Sequence, residues 1–342
     1  MSNPQILING AGAVGLSQGY HLSTGASITY LVRPGRKPAY VAPKRLYDYK
    51  TNSLHIFDDY RVIESASEVN GESFFCVFDT LDGATARSEN GAATLRSVGE
   101  VIRNDPKTFV VYDAAGLDMK SYYSSLLGIP QDRLLVGISM LAHQPTEQIS
   151  LPAEAKADLA AQANLFYIQN PGKAGMALQK DSHGNAAAFK ELYSKNGELT
   201  VSLIPSIDPE LLFSLGIVVL MGWYVHGYGQ MRGFVNNTEL WNLTVRAQGE
   251  ALALPRFGWT GYILSWIMGS WISAKMNSSM ETQALPLSYP EFNAFHHGGK
   301  VVKQDIALLK ELVEEGTKTG KTMEAMHELI KRVEGAQKKR SS

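Results

Sequence analysis

Three glycines near the amino terminus, Gly10, Gly12 and Gly15, have the spacing G-x-G-x-x-G. The apolar residues 6–8 before them are typical of a strand buried on both faces, and residues 14–22 after them indicate a helix. In a strand, turn and helix of this kind, the first glycine allows a tight turn. The second lets a pyrophosphate approach the backbone, and the third lets the helix pack closely on the strand.

The free N–H groups of the first helical turn, with the positive end of the helix dipole, favour a diphosphate at this place. A glycine-rich turn without a ligand is the alternative. It is disfavoured because the motif has the strand and the helix that it requires on either side. The motif therefore predicts a dinucleotide site made by Gly10, Ala11, Gly12, Ala13, Val14 and Gly15.

The end of the second predicted strand, residues 27–32, indicates which dinucleotide binds. Enzymes that select NAD usually carry Asp or Glu there, on the ribose 2′-hydroxyl. This chain carries Arg33, with Arg36 and Lys37 just beyond. A guanidinium can pair bidentately with a 2′-phosphate, which a carboxylate would repel. We therefore expect NADP(H), held by Arg33 and Arg36; a solvated basic loop is the alternative, and it has more weight for Arg36 and Lys37.

Composition restricts the class of protein. A chain of 342 residues is long enough for two domains, and its formal net charge of -1 gives no reason to expect a nucleic acid or a membrane surface as partner. The single cysteine, Cys76, excludes an internal disulfide, and no signal peptide is recognised before the first strand; both favour the cytoplasm. Residues 211–225 and 257–273 are uncharged but shorter than the roughly 20 residues of a membrane span, so we expect buried helices or a subunit interface.

Strand and helix patterns alternate in the first part of the chain. Strands are predicted at residues 73–78, 108–112 and 134–137, with a helix over 82–101. This alternation predicts an α/β domain of Rossmann type, with a doubly wound parallel sheet. Ligands of such sheets bind beyond the carboxyl ends of the strands, where Gly10, Arg33 and residues 78–80 and 113–116 should gather. Two short strands, 54–57 and 60–63, are predicted to form a hairpin around Asp58 and Asp59.

The pattern changes near Pro205. Asp208 is a predicted N-cap, with Pro209 at the first helical position. Helices are predicted over residues 210–224, 238–254, 262–276, 305–315 and 322–333. The predicted division is an NADP-binding Rossmann-type domain over residues 1–205, an all-helical substrate and dimerisation domain over 206–335, and a disordered basic tail over 336–342.

Several of these stretches resemble the ketopantoate reductase (2-dehydropantoate 2-reductase) family. They are the motif from Gly10 to Gly15 with Arg33 following, residues 207–215, residues 239–258, residues 298–333 and, more weakly, the turn at 113–117. The resemblance implies reduction of a 2-oxo acid with NADPH, in which a lysine protonates the new alkoxide and asparagines and a carboxylate hold the substrate. It also assigns two positions to the cofactor site. Phe78 (or Asp79) stands where that family has a lysine, and Ala115 where it has an asparagine.

The catalytic positions of that family do not carry over. Its helical lysine falls at or near Ser214, and Asp305 is the only acid in the region of its late glutamate. Because a ketone that accepts a hydride needs a proton, His226, which can titrate near neutrality, is a further candidate. We therefore assign the catalytic role to Ser214, His226 and Asp305, although a packing role is the alternative for each. Other candidate residues are Tyr224, Tyr228, and the pair His296 and His297.

No metal is expected, because adjacent histidines point in different directions and no second cluster has ligand spacing. The sequence thus favours an NADPH-dependent oxidoreductase that reduces a small carbonyl substrate, similar to a 2-oxo acid, as a homodimer with altered catalytic residues. Two alternatives stay open. One is an NADP(H)-binding sensor or scaffold without hydride chemistry, and the other is an imine reductase, in which the substrate's own iminium carries the charge.

Overall fold

A computed structural model describes residues 3–341, and its chain divides into two compact units. Unit 1 comprises the chain up to Ala114 together with Met119–Thr146 and Leu151–Ser206. Unit 2 comprises Ala115–Asp118, Glu147–Ser150 and the chain from Ile207 onward. Two short segments from the first half of the sequence therefore pack with the second half.

Unit 1 is an α/β unit. Its strands are β1 Gln5–Asn9, β2 Ser27–Leu31, β3 Lys44–Asp48, β4 Ser53–Phe57, β5 Arg61–Ile63, β6 Cys76–Asp79, β7 Phe109–Tyr112, β8 Leu134–Ser139, β9 Leu141–His143, β10 Leu165–Ile168, β11 Ala174–Gln179 and β12 Thr200–Ile204. Its helices are α1 Ala13–Ser23, α2 Lys37–Tyr40, α3 Gly83–Arg87, α4 Glu89–Ile102, α5 Met119–Leu127, α6 Ala157–Ala160 and α7 Asn185–Tyr193.

Eight strands form the main sheet in the order β12-β11-β8-β7-β6-β1-β2-β5. All neighbours in this sheet are parallel except β8 and β11. The order reverses at β1, which lies between β2 and β6, so the predicted doubly wound sheet is confirmed. Strands such as β1 and β6 are buried because helices cover such a sheet on both faces.

The predicted hairpin between residues 54–57 and 60–63 is wrong. β4 pairs antiparallel with β3, whereas β5 pairs parallel with β2 in the main sheet. The tight turn lies earlier, before Ser53, where Asn52 has a left-handed conformation (φ 51°) that asparagine tolerates. β3, β4, β9 and β10 make a second, four-stranded sheet that the sequence patterns do not indicate.

Unit 2 is helical. Its helices are α8 Pro209–His226, α9 Met231–Asn236, α10 Thr238–Leu252, α11 Gly258–Ile267, α12 Ser270–Gln283, α13 Tyr289–Phe295, α14 Val302–Lys318 and α15 Glu324–Ser341. The predicted start of α8 is present, because the Asp208 carboxylate accepts a hydrogen bond from the Glu210 N–H (2.9 Å) and Pro209 follows it. Among the described residues, α8 alone is long and apolar enough to cross a membrane. Half of it is buried, as in the core helix of a folded domain.

The predicted disordered tail is wrong for the residues that the structure describes. Lys338, Lys339 and Arg340 lie in the last turns of α15. Basic residues at the carboxyl end of a helix complement its dipole, which is one reason why the helix continues through them. Position 342 lies outside the described residues.

Two glycines of α8 allow a matched test of how closely unit 2 is packed. A methyl group at Gly222 would lie 2.2 Å from Oγ1 of the buried Thr244, whereas one at Gly216 would meet nothing within 4 Å. We expect Gly222→Ala to lower the free energy of unfolding by about 1–3 kcal/mol through overpacking. We expect Gly216→Ala to raise it by up to about 1 kcal/mol, because alanine favours helix. Denaturant unfolding measures both, and an equal effect of the two changes would contradict this packing.

Candidate functional site

The turn after β1 has the geometry that the three glycines predict. Gly10 has φ +100°, a conformation that side-chain-bearing residues rarely adopt. A Cβ atom at Gly15 would lie 2.1 Å from the carbonyl oxygen of Gly10, so α1 can approach the turn this closely only with glycine. The turn is therefore tight, and the helix begins directly against it.

Neighbouring strands hold this turn in place. The Gly10 N–H donates to the carbonyl of Leu31 at the end of β2 (3.0 Å). On the other side, both the N–H (3.0 Å) and the hydroxyl (2.8 Å) of Thr80 donate to the carbonyl of Asn9. A Cβ at Gly10 would lie 2.5 Å from Oγ1 of Thr80. This close contact is a second reason, besides the positive φ, why position 10 requires glycine. Thr80, just after β6, is a structural member of the site.

Gly12 differs from the other two glycines. A Cβ built there would meet nothing within 4 Å, so the space above its backbone is not filled by protein. Gly12 is the N-cap of α1, and no side chain caps the helix. The unfilled position above Gly12 is therefore at the end of α1 where a helix has unpaired N–H groups and the positive end of its dipole. This arrangement fits the diphosphate of a dinucleotide.

The basic residues after β2 lie on one tight turn. The N–H of Arg36 donates to the carbonyl of Arg33 (3.1 Å), with Pro34 and Gly35 (φ +76°) between them, as in a type II turn. Arg33 is exposed and has no ion-pair partner among the described residues. Arg36 lies over the ring of Tyr40 at 6.0 Å. The turn thus presents two guanidinium groups, two and five residues beyond Leu31, whose carbonyl accepts the hydrogen bond from Gly10.

Two other predicted cofactor residues have more limited roles available to them. Phe78 is fully buried in the core of unit 1, so its side chain cannot contact a ligand and only its backbone could take part. Ala115 belongs to unit 2, where its N–H donates to Oε1 of Gln304 (3.3 Å). The apolar strand pattern of residues 73–78 agrees with the burial of Phe78, whereas the sequence gives no sign of the contact of Ala115 with Gln304.

Two carboxylates end the neighbouring strands β6 and β7. Asp79 accepts hydrogen bonds from Nδ2 of Asn9 (2.5 Å) and from the hydroxyl of Tyr123 (2.5 Å). Burial raises the pKa of Asp79 to about 6, although these hydrogen bonds act to lower it. Asp113 accepts from the N–H of Ser139 (3.2 Å). Burial raises the pKa of Asp113 to about 7, hydrogen bonding from Ser139 opposes this, and the charge of Asp79 adds to it. The two acids therefore titrate near neutrality at the strand ends.

The three predicted catalytic residues do not form one site. Ser214 and His226 lie twelve positions apart on α8, about 18 Å along the helix axis at 1.5 Å per residue. Ser214 is fully buried, and its hydroxyl has no hydrogen-bond partner among the described residues. The ring of His226 packs against Phe234 (5.5 Å between centroids) at the far end of the helix. Ser214 and His226 therefore cannot contact the same atom of a small substrate.

Asp305 lies against a histidine in the interior of unit 2. Its side chain is completely buried, and Oδ2 lies 2.7 Å from Nδ1 of His297, whose side chain is 18% exposed. Its other oxygen accepts from Nε2 of Gln304 (3.3 Å). An ionised carboxylate can only accept, and with Asp305 in that form the proton of this bond lies on Nδ1 of His297.

A π-helical turn brings this pair together. His296–Lys300 forms the turn between α13 and α14, with the N–H of Val301 bonded to the carbonyl of His296 (2.9 Å). π-helical turns are rare in proteins, and those that do occur are often found at functional sites. His296 itself stacks on Phe292 (5.4 Å), and its burial, with the charges of its neighbours, holds its pKa well below the usual value. His296 is therefore held in its neutral form.

Tyr228 and Arg340 lie beside the same turn. A methyl group at Gly298 would lie 3.0 Å from Cε2 of Tyr228 and 3.5 Å from Nη1 of Arg340. Tyr228 follows the end of α8 with a strained φ of +55°, and its buried hydroxyl has no hydrogen-bond partner among the described residues. Arg340 lies 4.0 Å from the ring centroid of Tyr224 and bonds the carbonyl of that residue. We call His297, Asp305, Tyr228 and Arg340 the His297 cluster.

The His297 cluster contains one imidazole, one carboxylate bonded to it, one hydroxyl without a hydrogen-bond partner among the described residues, and one guanidinium. An unpaired buried hydroxyl costs about 1–3 kcal/mol, so its retention calls for an explanation such as a ligand. Among residues 3–341, no group of three or more His, Cys, Asp or Glu side chains could hold a metal ion.

The raised pKa of Asp113 predicts a pH-dependent stability. An aspartate whose pKa rises from about 4 in the unfolded chain to about 7 stabilises the fold at low pH. That contribution is lost as the pH rises to 7. Asp113→Asn keeps the acceptor for Ser139 and removes the charge. Its unfolding free energy relative to wild type should therefore rise by roughly 2 kcal/mol between pH 4 and pH 8.

Denaturant unfolding at several pH values measures this difference. Asp59→Asn, at an exposed aspartate of the same unit, is the control and should run parallel to wild type. Parallel curves for Asp113→Asn as well would show that this carboxylate is not buried.

The comparisons with known proteins give a fold. No model of a known protein family matches the sequence, and no curated protein matches it. Solved structures match over the full length. A ketopantoate reductase from Ralstonia eutropha JMP134 has a TM-score of 0.65 at 15% identity, with 99% of this chain and 100% of that chain covered.

Two further structures extend the comparison. D-mandelate dehydrogenase in a ternary structure with NADH and anilino(oxo)acetate has a TM-score of 0.66 at 12% identity, covering 98% of each chain. A dimeric ketopantoate reductase from Staphylococcus aureus has a TM-score of 0.59 at 9% identity, with 98% of this chain and 99% of that chain covered. At these identities the likeness concerns the fold, and the chain has the ketopantoate reductase fold over its full length.

Proposed function

We propose that this protein is an NADPH-dependent reductase of a small carbonyl substrate, of the 2-oxo acid type. The observation that carries the proposal is the open backbone at Gly12, at the start of a helix without a side-chain cap. A Rossmann-type turn that served only packing would need its glycines where Cβ atoms collide, as at Gly10 and Gly15. It would not need one at Gly12.

The choice of NADPH over NADH rests on the turn after β2. Arg33 and Arg36 stand at its two ends, and no carboxylate takes the place that usually binds the 2′-hydroxyl. The nearby Glu64 is occupied, since it accepts a hydrogen bond from the N–H of Lys37 (2.7 Å). Two guanidinium groups without an acidic partner among the described residues favour a 2′-phosphate.

Replacing Arg33 tests this assignment. We expect Arg33→Ala to weaken NADPH binding at least 10-fold, because a charge-assisted bond to a phosphate is worth about 1.5–3 kcal/mol. NADH binding should change less than 2-fold. Fluorescence titration of the nicotinamide measures both dissociation constants. Lys180→Ala, at an exposed lysine after β11, is the control. Equal weakening of both dinucleotides by Arg33→Ala would refute the 2′-phosphate site.

The chemistry needs an acid as well as a cofactor. Bound NADPH would supply a hydride to the carbonyl carbon, and negative charge then develops on the carbonyl oxygen. We assign the proton to Nε2 of His297. Asp305 holds the opposite nitrogen and stabilises the charged ring before the transfer. This pair would take the part that a lysine plays in the ketopantoate reductases.

Two neighbours of His297 would bind the substrate. The Tyr228 hydroxyl, buried and without a partner among the described residues, would donate a hydrogen bond to the developing oxyanion. Burial and the charge of Asp305 raise the pKa of Tyr228 well above its ordinary value, so it stays a neutral donor. The guanidinium of Arg340 would pair with the carboxylate of a 2-oxo acid. A sensor or a scaffold without hydride chemistry would need none of these groups.

Adjacent histidines provide a matched test of the acid. We expect His297→Gln to lower kcat for a 2-oxo acid about 100-fold or more, the usual loss when a general acid is removed. The dissociation constant for NADPH should not change. His296→Gln should keep kcat within 3-fold, because that ring stacks on Phe292 and its pKa favours the neutral form.

Steady-state kinetics over a panel of 2-oxo acids, ketones and imines measures these effects. Equal activity of His297→Gln and wild type would show that the proton comes from elsewhere. NADPH binding without turnover of any member of the panel would favour the sensor, and turnover of imines alone would favour the imine reductase.

We also propose that the chain works as a homodimer in the cytoplasm. The dimeric ketopantoate reductase of Staphylococcus aureus supports this by its fold. The partly buried state of α8 supports a core helix and not a membrane span.

A further inference from the structure

One helix of unit 2, together with the start of the next helix, exposes an unusual set of large apolar side chains. Three tryptophans are 71–79% exposed, and three smaller apolar residues are 48–52% exposed. Together they are Trp259, Tyr262, Ile263, Trp266 and Ile267 of α11, and Trp271 at the start of α12. We call these six residues the α11 face.

The α11 face is continuous because its members recur at helical spacing. From Trp259 the intervals to the next residues on α11 are three, four, seven and eight, which place them on one side of a helix. The opposite side packs inward. A Cβ at Gly261 would lie 2.4 Å from the carbonyl oxygen of Leu252, so α11 is already seated tightly on unit 2 there. The helix is apolar on both sides, which is typical of a helix that is buried all round.

The size of the α11 face also exceeds what monomers expose. A fully exposed tryptophan presents about 250 Å², so the six residues together present on the order of 800 Å² of largely apolar surface. The largest such patch on a typical monomer measures about 300–600 Å². About 800 Å² is what each partner contributes to a stable protein–protein interface of standard size.

The charges around the α11 face favour a protein partner of the same kind over a lipid surface. Residues 257–273 contain no charged side chain. Arg256 just before them is paired with Asp118 (2.9 Å) and Glu210 (2.6 Å), and Lys275 lies over the ring of Trp271. Helices that bind membrane surfaces usually carry many Lys and Arg on their polar side. An uncharged, tryptophan-rich face is instead complementary to itself across a two-fold axis.

We infer that the α11 face is the isologous interface through which two copies of this chain associate. The inference rests on the homodimer of the proposed function and names its surface. In such an interface each residue meets a residue of the same face on the other copy. A charge introduced at the centre of the face would therefore be buried in both copies at once.

Trp266→Glu tests the interface. Sedimentation velocity should give the wild type a mass of twice 37.4 kDa at micromolar concentration and the variant a mass of 37.4 kDa. The dimer dissociation constant should rise at least 100-fold. Ile56→Glu, at an isoleucine of unit 1 that is 61% exposed, is the matched control and should stay dimeric. Trp259→Ser, a milder change on the same face, should weaken the dimer at least 10-fold.

The outcomes separate this inference from the proposed function. NADPH binding by Trp266→Glu should equal that of the wild type, which shows that the variant is folded. Its melting temperature should be the lower of the two, because association stabilises the folded state. A wild type that is monomeric up to 100 µM overturns the inference, even if it reduces 2-oxo acids. A Trp266→Glu protein that remains dimeric overturns the choice of surface. The wild type could instead be monomeric and sediment with phosphatidylcholine vesicles, with this binding lost in Trp266→Glu. That result would overturn the inference and show that the α11 face binds a membrane surface and not a second copy of the chain.

Discussion

The close approach of Gly15 to the carbonyl of Gly10 is the contact on which the rest of unit 1 depends. With 2.1 Å between that oxygen and the place of a Cβ, the helix can begin where it does only if residue 15 is glycine. The amino-terminal end of α1 therefore lies at Gly12, where a Cβ would meet no protein atom within 4 Å. The bond from Gly10 to Leu31 then joins the same turn to the strand that leads to Arg33.

The parts of the fold that the sequence predicts are those set by local chemistry. Spaced glycines, an N-cap at Asp208 and alternating strand and helix patterns each have a short-range cause, and the structure contains all of them. The pairing of β4 with β3 could not be predicted in the same way. Residues 54–57 and 60–63 are equally good strands, and only the sheet that each strand joins distinguishes them.

The contacts of the candidate acid also could not be predicted from the sequence. Asp305 is visible in the sequence as an acid, but its partner His297 lies eight positions earlier. In a regular α-helix, residues eight positions apart are separated by about 12 Å along the axis, too far for their side chains to form a hydrogen bond. The π-helical turn at His296–Lys300 closes that gap. Ser214 and His226 share a helix, yet its length separates them. Tyr228 is identified as a candidate by its strained backbone and by its hydroxyl without a hydrogen-bond partner among the described residues. Neither feature can be predicted from the sequence.

The central claim is that the open backbone at Gly12 binds the diphosphate of a nicotinamide dinucleotide. Isothermal titration of NADPH into the wild type and into Gly12→Val tests it most directly, because a side chain there collides with no protein atom near its Cβ. We expect the wild type to bind NADPH with a micromolar or lower dissociation constant, and Gly12→Val to lose at least 100-fold in affinity at an unchanged melting temperature. Equal affinity of the two proteins, or no binding by the wild type at millimolar NADPH, would contradict it.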